Sequence, residues 1–258
     1  MSRYVNKSVI VALASMCSAW SVWGGVINEF SDDFSRLNVA NTSDGSAIGA
    51  SYVITSTSGD GNFSIDTQKV RAGGATGNHR VLSYQGFEAE NTGGKSFEVS
   101  ADITLGVYNQ TINSGLAFNF QNANNFYYAR LVSSTAAGAN NGALQFGQMV
   151  AGVGTTFAGN VTGLNVATGV VYNVTVSSST PGSFTYGLTG GTLNLSGSFS
   201  DAVAGGDFSD GYVGLYQITS NGNTQFDNLS ITVIPEPATL GLFVISSGLL
   251  LLIRKYRG

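Results

Sequence analysis

Runs in which apolar and polar residues alternate recur along most of the chain. From Phe97 to Leu105 every odd-numbered residue is apolar and every even-numbered residue is polar. Alternation of this kind puts one set of side chains on the core face of a β-strand and the other set on the opposite face. Similar runs predict further strands at Leu116–Gln121, Phe126–Val132, Leu144–Val150, Val170–Ser177, Phe184–Leu188, Thr192–Leu195, Tyr212–Ile218 and Gln225–Val233.

Turn-forming residues separate these runs, as at Pro181-Gly182 and Gly190-Gly191. No stretch between the two ends of the chain shows sustained helical periodicity. Many short strands without interleaved helices favour an all-β fold, an antiparallel β-sandwich of the jelly-roll type, over about residues 22–233. A right-handed β-helix is the alternative, but the chain shows no fixed repeat that would support it.

The first 21 residues have the features of a secretory signal peptide. Arg3 and Lys7 form a basic start, and a run of mostly small and apolar residues follows. Small residues at Ala19 and Ser21 predict cleavage after Ser21, with cleavage after Ala19 as the alternative. The only cysteine, Cys17, lies in this segment, so the domain that remains has no disulfide and no thiolate metal site.

The C-terminal end combines a proline-rich break, an uncharged apolar segment and a basic tail. The break is Pro235-Glu236-Pro237, the apolar segment runs over residues 238–253, and Arg254, Lys255 and Arg257 follow it. A helix of this length spans roughly 24 Å, which is short of the roughly 30 Å hydrocarbon core of a bilayer. The basic tail predicts a cytoplasmic C-terminus and an exported domain.

This combination resembles the PEP-CTERM sorting signal of Gram-negative bacteria, over about the last 25 residues. The resemblance implies that a membrane protease-transpeptidase, exosortase, recognises residues 234–258 and removes the hydrophobic helix. Pro235, Glu236 and Pro237 would then be recognition residues, and the membrane attachment through the C-terminal helix would be temporary. The alternative is a permanent C-terminal membrane anchor.

The charge balance excludes one class of partner. The chain has 15 acidic and 11 basic residues, and setting aside the charged residues of both end segments leaves 14 acids and 6 bases, a net charge of -8. An acidic domain of this kind is a poor binder of nucleic acid. We therefore expect no nucleic-acid partner.

The order of features after residue 114 resembles that of laminin G-like, concanavalin A-like jelly rolls. The segments concerned are Gly115–Phe118, Asn125–Leu131, Gly142–Phe146, Tyr172–Val176, Gly211–Tyr216 and Phe226–Leu229, and Asp32-Asp33-Phe34 fits the opening strand. These are mostly packing motifs, so the resemblance implies the fold rather than an activity.

The alternation of side chains between the two faces of a sheet predicts a glycan-binding surface. If Tyr127, Ala129 and Leu131 face the core, Tyr128 and Arg130 face away from it on the same strand. Rings surrounded by hydrogen-bonding groups are the chemistry that sugar-binding sites use. The predicted outward set comprises Asn119, Gln121, Tyr128, Arg130, Gln145 and Tyr216. An exopolysaccharide is the expected partner, and the alternative is that the tyrosines only fill the sheet face.

A structural calcium ion is a further hypothesis. Asp32, Asp33, Asp227 and Asn228 carry the hard oxygen ligands that Ca²⁺ prefers. The first and last strands of such sandwiches are often neighbours, which would bring these residues together.

Two other functions compete with glycan binding. A glycoside-active enzyme would use paired carboxylates from among Glu88, Glu90, Glu98 and Asp102. The single histidine, His79, is expected in an exposed turn or strand start and cannot serve a nucleophile-histidine-acid triad. A passive scaffold without a ligand is the third reading. We expect a cell-surface or extracellular-matrix protein that is not an enzyme.

Overall fold

A computed structural model describes residues 28–57, 62–73, 79–86, 96–106, 113–133, 142–201, 208, 210–218 and 224–234. The predicted signal peptide and residues 235–258 of the predicted sorting signal, with the two predicted helices, lie outside these residues. Within the described residues there is no helix with the length and apolar character needed to cross a membrane. Residues 28–233 form one compact unit.

The described residues contain seventeen strands and one short helix. In chain order they are β1 (Asn28–Asp32), β2 (Val39–Thr42), α1 (Gly45–Ile48), β3 (Tyr52–Ser56), β4 (Asn62–Asp66), β5 (Lys69–Gly73), β6 (Arg80–Tyr84), β7 (Ser96–Thr104), β8 (Asn113–Asn122), β9 (Asn125–Val132), β10 (Ala143–Val150), β11 (Val153–Thr156), β12 (Val161–Thr162), β13 (Val171–Thr180), β14 (Ser183–Gly190), β15 (Leu193–Ser200), β16 (Tyr212–Gln217) and β17 (Gln225–Ile234).

The strands form two sheets. The nine-stranded sheet has the order β15-β14-β13-β7-β17-β5-β4-β2, with β1 also paired to β17, and the eight-stranded sheet has the order β11-β10-β9-β8-β16-β6-β3, with β12 also paired to β10. The pairings with a defined register are antiparallel, including β13 with β7 and β8 with β9. The predicted all-β, antiparallel sandwich is confirmed.

The core lies between the two sheets and is rich in aromatic rings. Strand β7 buries the apolar residues of its alternating pattern and leaves the polar ones partly or fully exposed, as predicted. The ring of Phe118 lies 5.0 Å from that of Phe184 and 5.8 Å from that of Tyr127. Contacts of this geometry add to the free energy gained by burying apolar area.

The nine predicted strands overlap β7 to β10 and β13 to β17, and the predicted opening strand overlaps β1. The prediction that the first and last strands are neighbours is confirmed, since Asp32 is opposite Leu229. Strands β2 to β6, β11 and β12 were missed. Most of them have only two to five residues, which is too short for alternation to distinguish them from loop.

A second, smaller apolar cluster lies on the eight-stranded sheet, on the face turned away from the core, which we call the outer face. It consists of Val81, Ala117, Phe120, Phe126, Tyr128, Met149 and Tyr216. This cluster determines how the polar side chains of the same face are held.

Candidate functional site

Strand β9 divides its side chains between the two faces as its sequence predicts. Tyr127, Ala129 and Leu131 belong to the core. Tyr128 belongs to the outer-face cluster, and Arg130, two residues further along the strand, shares its face. The predicted parity is therefore confirmed.

Strand register places the centre of the outer face in a single row across five strands. Arg130 is opposite Gln145 on one side and Gly115 on the other. Gly115 is in turn opposite Tyr216, and Tyr216 is opposite Val81. Gly115 has no side chain, so the side chains of Arg130 and Tyr216 come together across it, and Arg130 donates a hydrogen bond to the Tyr216 hydroxyl.

The guanidinium of Arg130 is held from two directions. Its Nε and Nη2 atoms donate hydrogen bonds of 3.1 and 2.9 Å to Oε1 of Gln145. Its Cζ atom lies 4.9 Å from the centre of the Tyr128 ring, within the range of a cation–π interaction. Arg130 and Gln145 are both partly exposed. The group is thus preorganised and still accessible to solvent.

The sequence prediction placed His79 in an exposed turn or strand start, and the structure corrects the exposure. His79 directly precedes β6 but is only partly exposed. Its Nδ1 atom lies 2.7 Å from the Tyr216 hydroxyl, and its ring stacks on that of Tyr216 at 5.8 Å. The Tyr216 ring also stacks on Tyr128 at 5.4 Å. His79 therefore belongs to the same site.

The surroundings of these groups fix their protonation. Burial, and secondarily the positive charge of Arg130, lowers the pKa of His79 to about 4. Burial raises the pKa of the Tyr216 hydroxyl well above its ordinary value, and nearby Arg130 opposes that shift. At neutral pH the imidazole is thus uncharged and the phenol is protonated. Arg130 carries the positive charge of this group of side chains.

The tyrosines do not form the open stacking surface that the sequence suggested. Only 2% of Tyr128 and 0% of Tyr216 is exposed. Their rings support Arg130 and His79 from within the face. Of the predicted outward set, Arg130 and Gln145 are partly exposed and Gln121 is exposed.

Asn119 and Gln121 do not join this group, because β8 has an irregularity that interrupts its alternation. The register with β9 shifts between Phe118 and Asn122, and Asn119 adopts a positive φ of 47°. The Asn119 amide donates to the carbonyl of Phe208 at 2.8 Å, and that of Gln121 donates to Asp210 at 2.9 Å. A β-bulge reverses the parity expected beyond it, and Phe120 lies in the outer-face cluster instead.

Asp32 and Asp33, the first two predicted calcium ligands, both have protein partners. Asp32 is buried and binds Arg36, and it accepts hydrogen bonds from the Tyr52 hydroxyl and the Phe34 amide, each at 2.8 Å. Asp33 is exposed and accepts from the amide of Ser35. Asp32 is thus the centre of an internal polar network at the end of β1.

Asp227 and Asn228 are also engaged. Asp227 forms an ion pair with Lys69 at 3.7 Å, and the Asn228 amide donates to Asp102 at 2.8 Å. Burial is the main cause that raises the pKa of Asp227. In the described part of the chain, no group of three His, Cys, Asp or Glu side chains could hold a metal ion. The charges of Asp102 and Asp33 also raise the pKa of Asp227, so these carboxylates lie near one another, and the calcium site stays a prediction.

Two of the four carboxylates of the enzymatic alternative, Glu98 and Asp102, are described, and they are not arranged as a catalytic pair with each other. Glu98 and Asp102 share one face of β7, four residues apart, which is about 13 Å along a strand. Glycosidases need roughly 5 to 9.5 Å between their carboxyl groups. Asp102 also accepts a hydrogen bond from Asn173 at 2.9 Å. Glu88 and Glu90 lie outside the described residues.

No protein-family model and no curated protein matches this chain. Among solved structures, the carbohydrate-binding module CBM66 from Bacillus subtilis is similar with a TM-score of 0.51 and 17% identity, over 69% of this chain and 94% of that one. The CBM2 module of the evolved Dit of Lactobacillus casei BL23 phage J-1 is similar with a TM-score of 0.51 and 11% identity, over 81% and 96%. The domain therefore has the jelly-roll fold that the concanavalin A-like resemblance predicted.

Proposed function

We propose that this chain is an exported cell-surface or extracellular-matrix protein whose β-sandwich contacts glycans of an exopolysaccharide layer. The observation that carries the proposal is the guanidinium of Arg130, held by Gln145 and the Tyr128 ring and still open to solvent. Fixed hydrogen-bond donors beside apolar rings orient polar ligands such as sugars. The similarity of the fold to carbohydrate-binding modules supports the proposal.

Binding to a glycan array tests this function directly. We expect the full-length chain, purified in detergent, to give signals that Arg130→Ala and Gln145→Ala both reduce about ten-fold or more. The first change removes the donors, and the second removes the acceptor that fixes them. Both side chains are partly exposed, so neither change should unfold the domain.

Thr185→Ala is the matched control, since Thr185 is an exposed side chain of the nine-stranded sheet. Absence of any glycan signal would contradict the proposal. A signal that survives both outer-face changes would place the site elsewhere.

The proposed route to the surface uses the C-terminal segment. Pro235-Glu236-Pro237, the apolar segment and the basic residues Arg254, Lys255 and Arg257 carry the resemblance to an exosortase signal. In this proposal exosortase removes the tail, and the membrane attachment lasts only until that step. We expect mass spectrometry of the surface protein to find a C-terminus upstream of residue 254. A mature chain that still ends at Gly258 would instead indicate a permanent anchor.

A further inference from the structure

Charge is divided unequally between the two sheets. The strands of the nine-stranded sheet contain six acidic and two basic residues. The strands of the eight-stranded sheet contain two arginines, Arg80 and Arg130, and no acidic residue. The sequence between Arg130 and Asp201 has no charged residue at all. The surroundings of Arg130 in its sheet are therefore free of acidic side chains.

Arg130 differs from the other exposed cations of the described residues in having no carboxylate partner. Arg36 is paired with Asp32, Lys69 with Asp227, and Arg71 with Asp66 at 2.8 Å. Arg130 instead contacts a neutral amide oxygen and two tyrosines. A partly buried cation without a counter-ion is costly in an isolated domain, and an external anion would remove that cost.

The geometry leaves donors for such an anion. A guanidinium has five N–H groups, and Gln145 accepts from Nε and Nη2, one hydrogen each. The Tyr216 hydroxyl accepts a further hydrogen bond from the Arg130 side chain, so two donors remain for an anion. Parallel N–H groups of this kind match the two oxygens of a carboxylate. The neutral state of His79 leaves Arg130 as the charge that an anion would meet.

We propose that Arg130 receives the carboxylate of a uronic acid, so that the ligand of the outer face is an acidic polysaccharide. This inference rests on the proposed glycan-binding function and names its substrate class. The domain's net negative charge repels anions at long range. Recognition therefore depends on the free N–H groups of the Arg130 guanidinium and on the absence of acidic side chains from the strands of its sheet. It does not depend on general electrostatic attraction.

Calorimetry with oligogalacturonate and with its fully methyl-esterified form tests the inference. Esterification removes the negative charge and the second equivalent oxygen that the N–H groups of Arg130 would bind. We expect the full-length chain in detergent to bind the acid form at least ten-fold more tightly than the ester. Arg130→Gln should abolish that preference. Arg130→Lys keeps the charge but lacks the planar guanidinium donors, so it should retain part of the preference.

Arg71→Gln is the control, since it removes a cation of similar exposure from the other sheet. It should leave the preference intact. Equal binding of acid and ester, with both lost in Arg130→Gln, would overturn the acidic ligand and leave the glycan-binding function standing. Tighter binding of a sulfated glucan than of oligogalacturonate would also overturn it. Binding to no glycan, charged or neutral, would refute the function itself.

Discussion

The substitution Gly115→Ala is expected to lower the free energy of unfolding by about 3 kcal/mol. A Cβ atom at this position would lie 1.9 Å from the carbonyl oxygen of Ala129 and 2.6 Å from Cα of Arg130. Both are backbone atoms of the neighbouring strand, so the clash cannot be relieved by turning a side chain. The pairing of β8 with β9 must shift, and Arg130 shifts with it. Urea unfolding, followed by circular dichroism, measures the loss.

Gly187→Ala is the matched control for this change. Gly187 also lies within a strand, but its added Cβ would meet Cβ of Thr175 at 3.7 Å, an ordinary contact. We expect no loss of stability there, and a small gain is consistent with the reduced freedom of the unfolded chain. Equal effects at the two positions would show that the close approach at Gly115 is not the cause.

The second large effect is expected at Asp32. Asp32→Ala should destabilise the domain by about 3 kcal/mol, because it removes the acceptor of the Tyr52 hydroxyl and the Phe34 backbone amide and leaves Arg36 with only the Ile48 carbonyl. Burial and the charge of Asp32 raise the pKa of Tyr52, so this hydroxyl remains a donor throughout the accessible pH range. Asp32→Asn, which keeps the volume and one acceptor, should cost less.

The neighbouring acid separates this internal role from the calcium hypothesis. Asp33 is exposed and accepts a hydrogen bond only locally, from Ser35, so Asp33→Ala should leave the free energy of unfolding unchanged within the error of measurement. Millimolar Ca²⁺ and a chelator should give the same thermal midpoint. A midpoint that rises with Ca²⁺, and no longer does so in Asp33→Ala, would establish the metal site.

Local sequence predicted the parts of the site that depend on strand parity. Tyr128 and Arg130 were placed correctly because side chains alternate strictly within a regular strand. Asn119 was misplaced because one residue in a left-handed conformation reverses the parity beyond it, and asparagine at that position gives only a weak signal for a bulge.

Contacts between distant segments could not be predicted in this way. His79 joins Tyr216 across 137 residues of sequence, through the pairing of β6 with β16. Strand β6 was not recognised, so nothing placed His79 on the outer face. Asp32 was correctly identified as a residue of the first strand, but its partner Arg36 depends on how the chain turns after that strand. Composition alone does not distinguish a metal ligand from half of an ion pair.

The position of β17 has a mechanical consequence. This strand ends at Ile234, immediately before Pro235, and it is hydrogen-bonded to β7, β5 and β1 within the nine-stranded sheet. In a chain held at a surface through its C-terminal segment, any pull runs along β17. A force in this direction acts in shear on all the hydrogen bonds between β17 and its neighbouring strands at the same time, and does not break them one after another. A chain attached in this way would resist a pull through these strand pairs, and its lifetime under load would follow the unfolding rate.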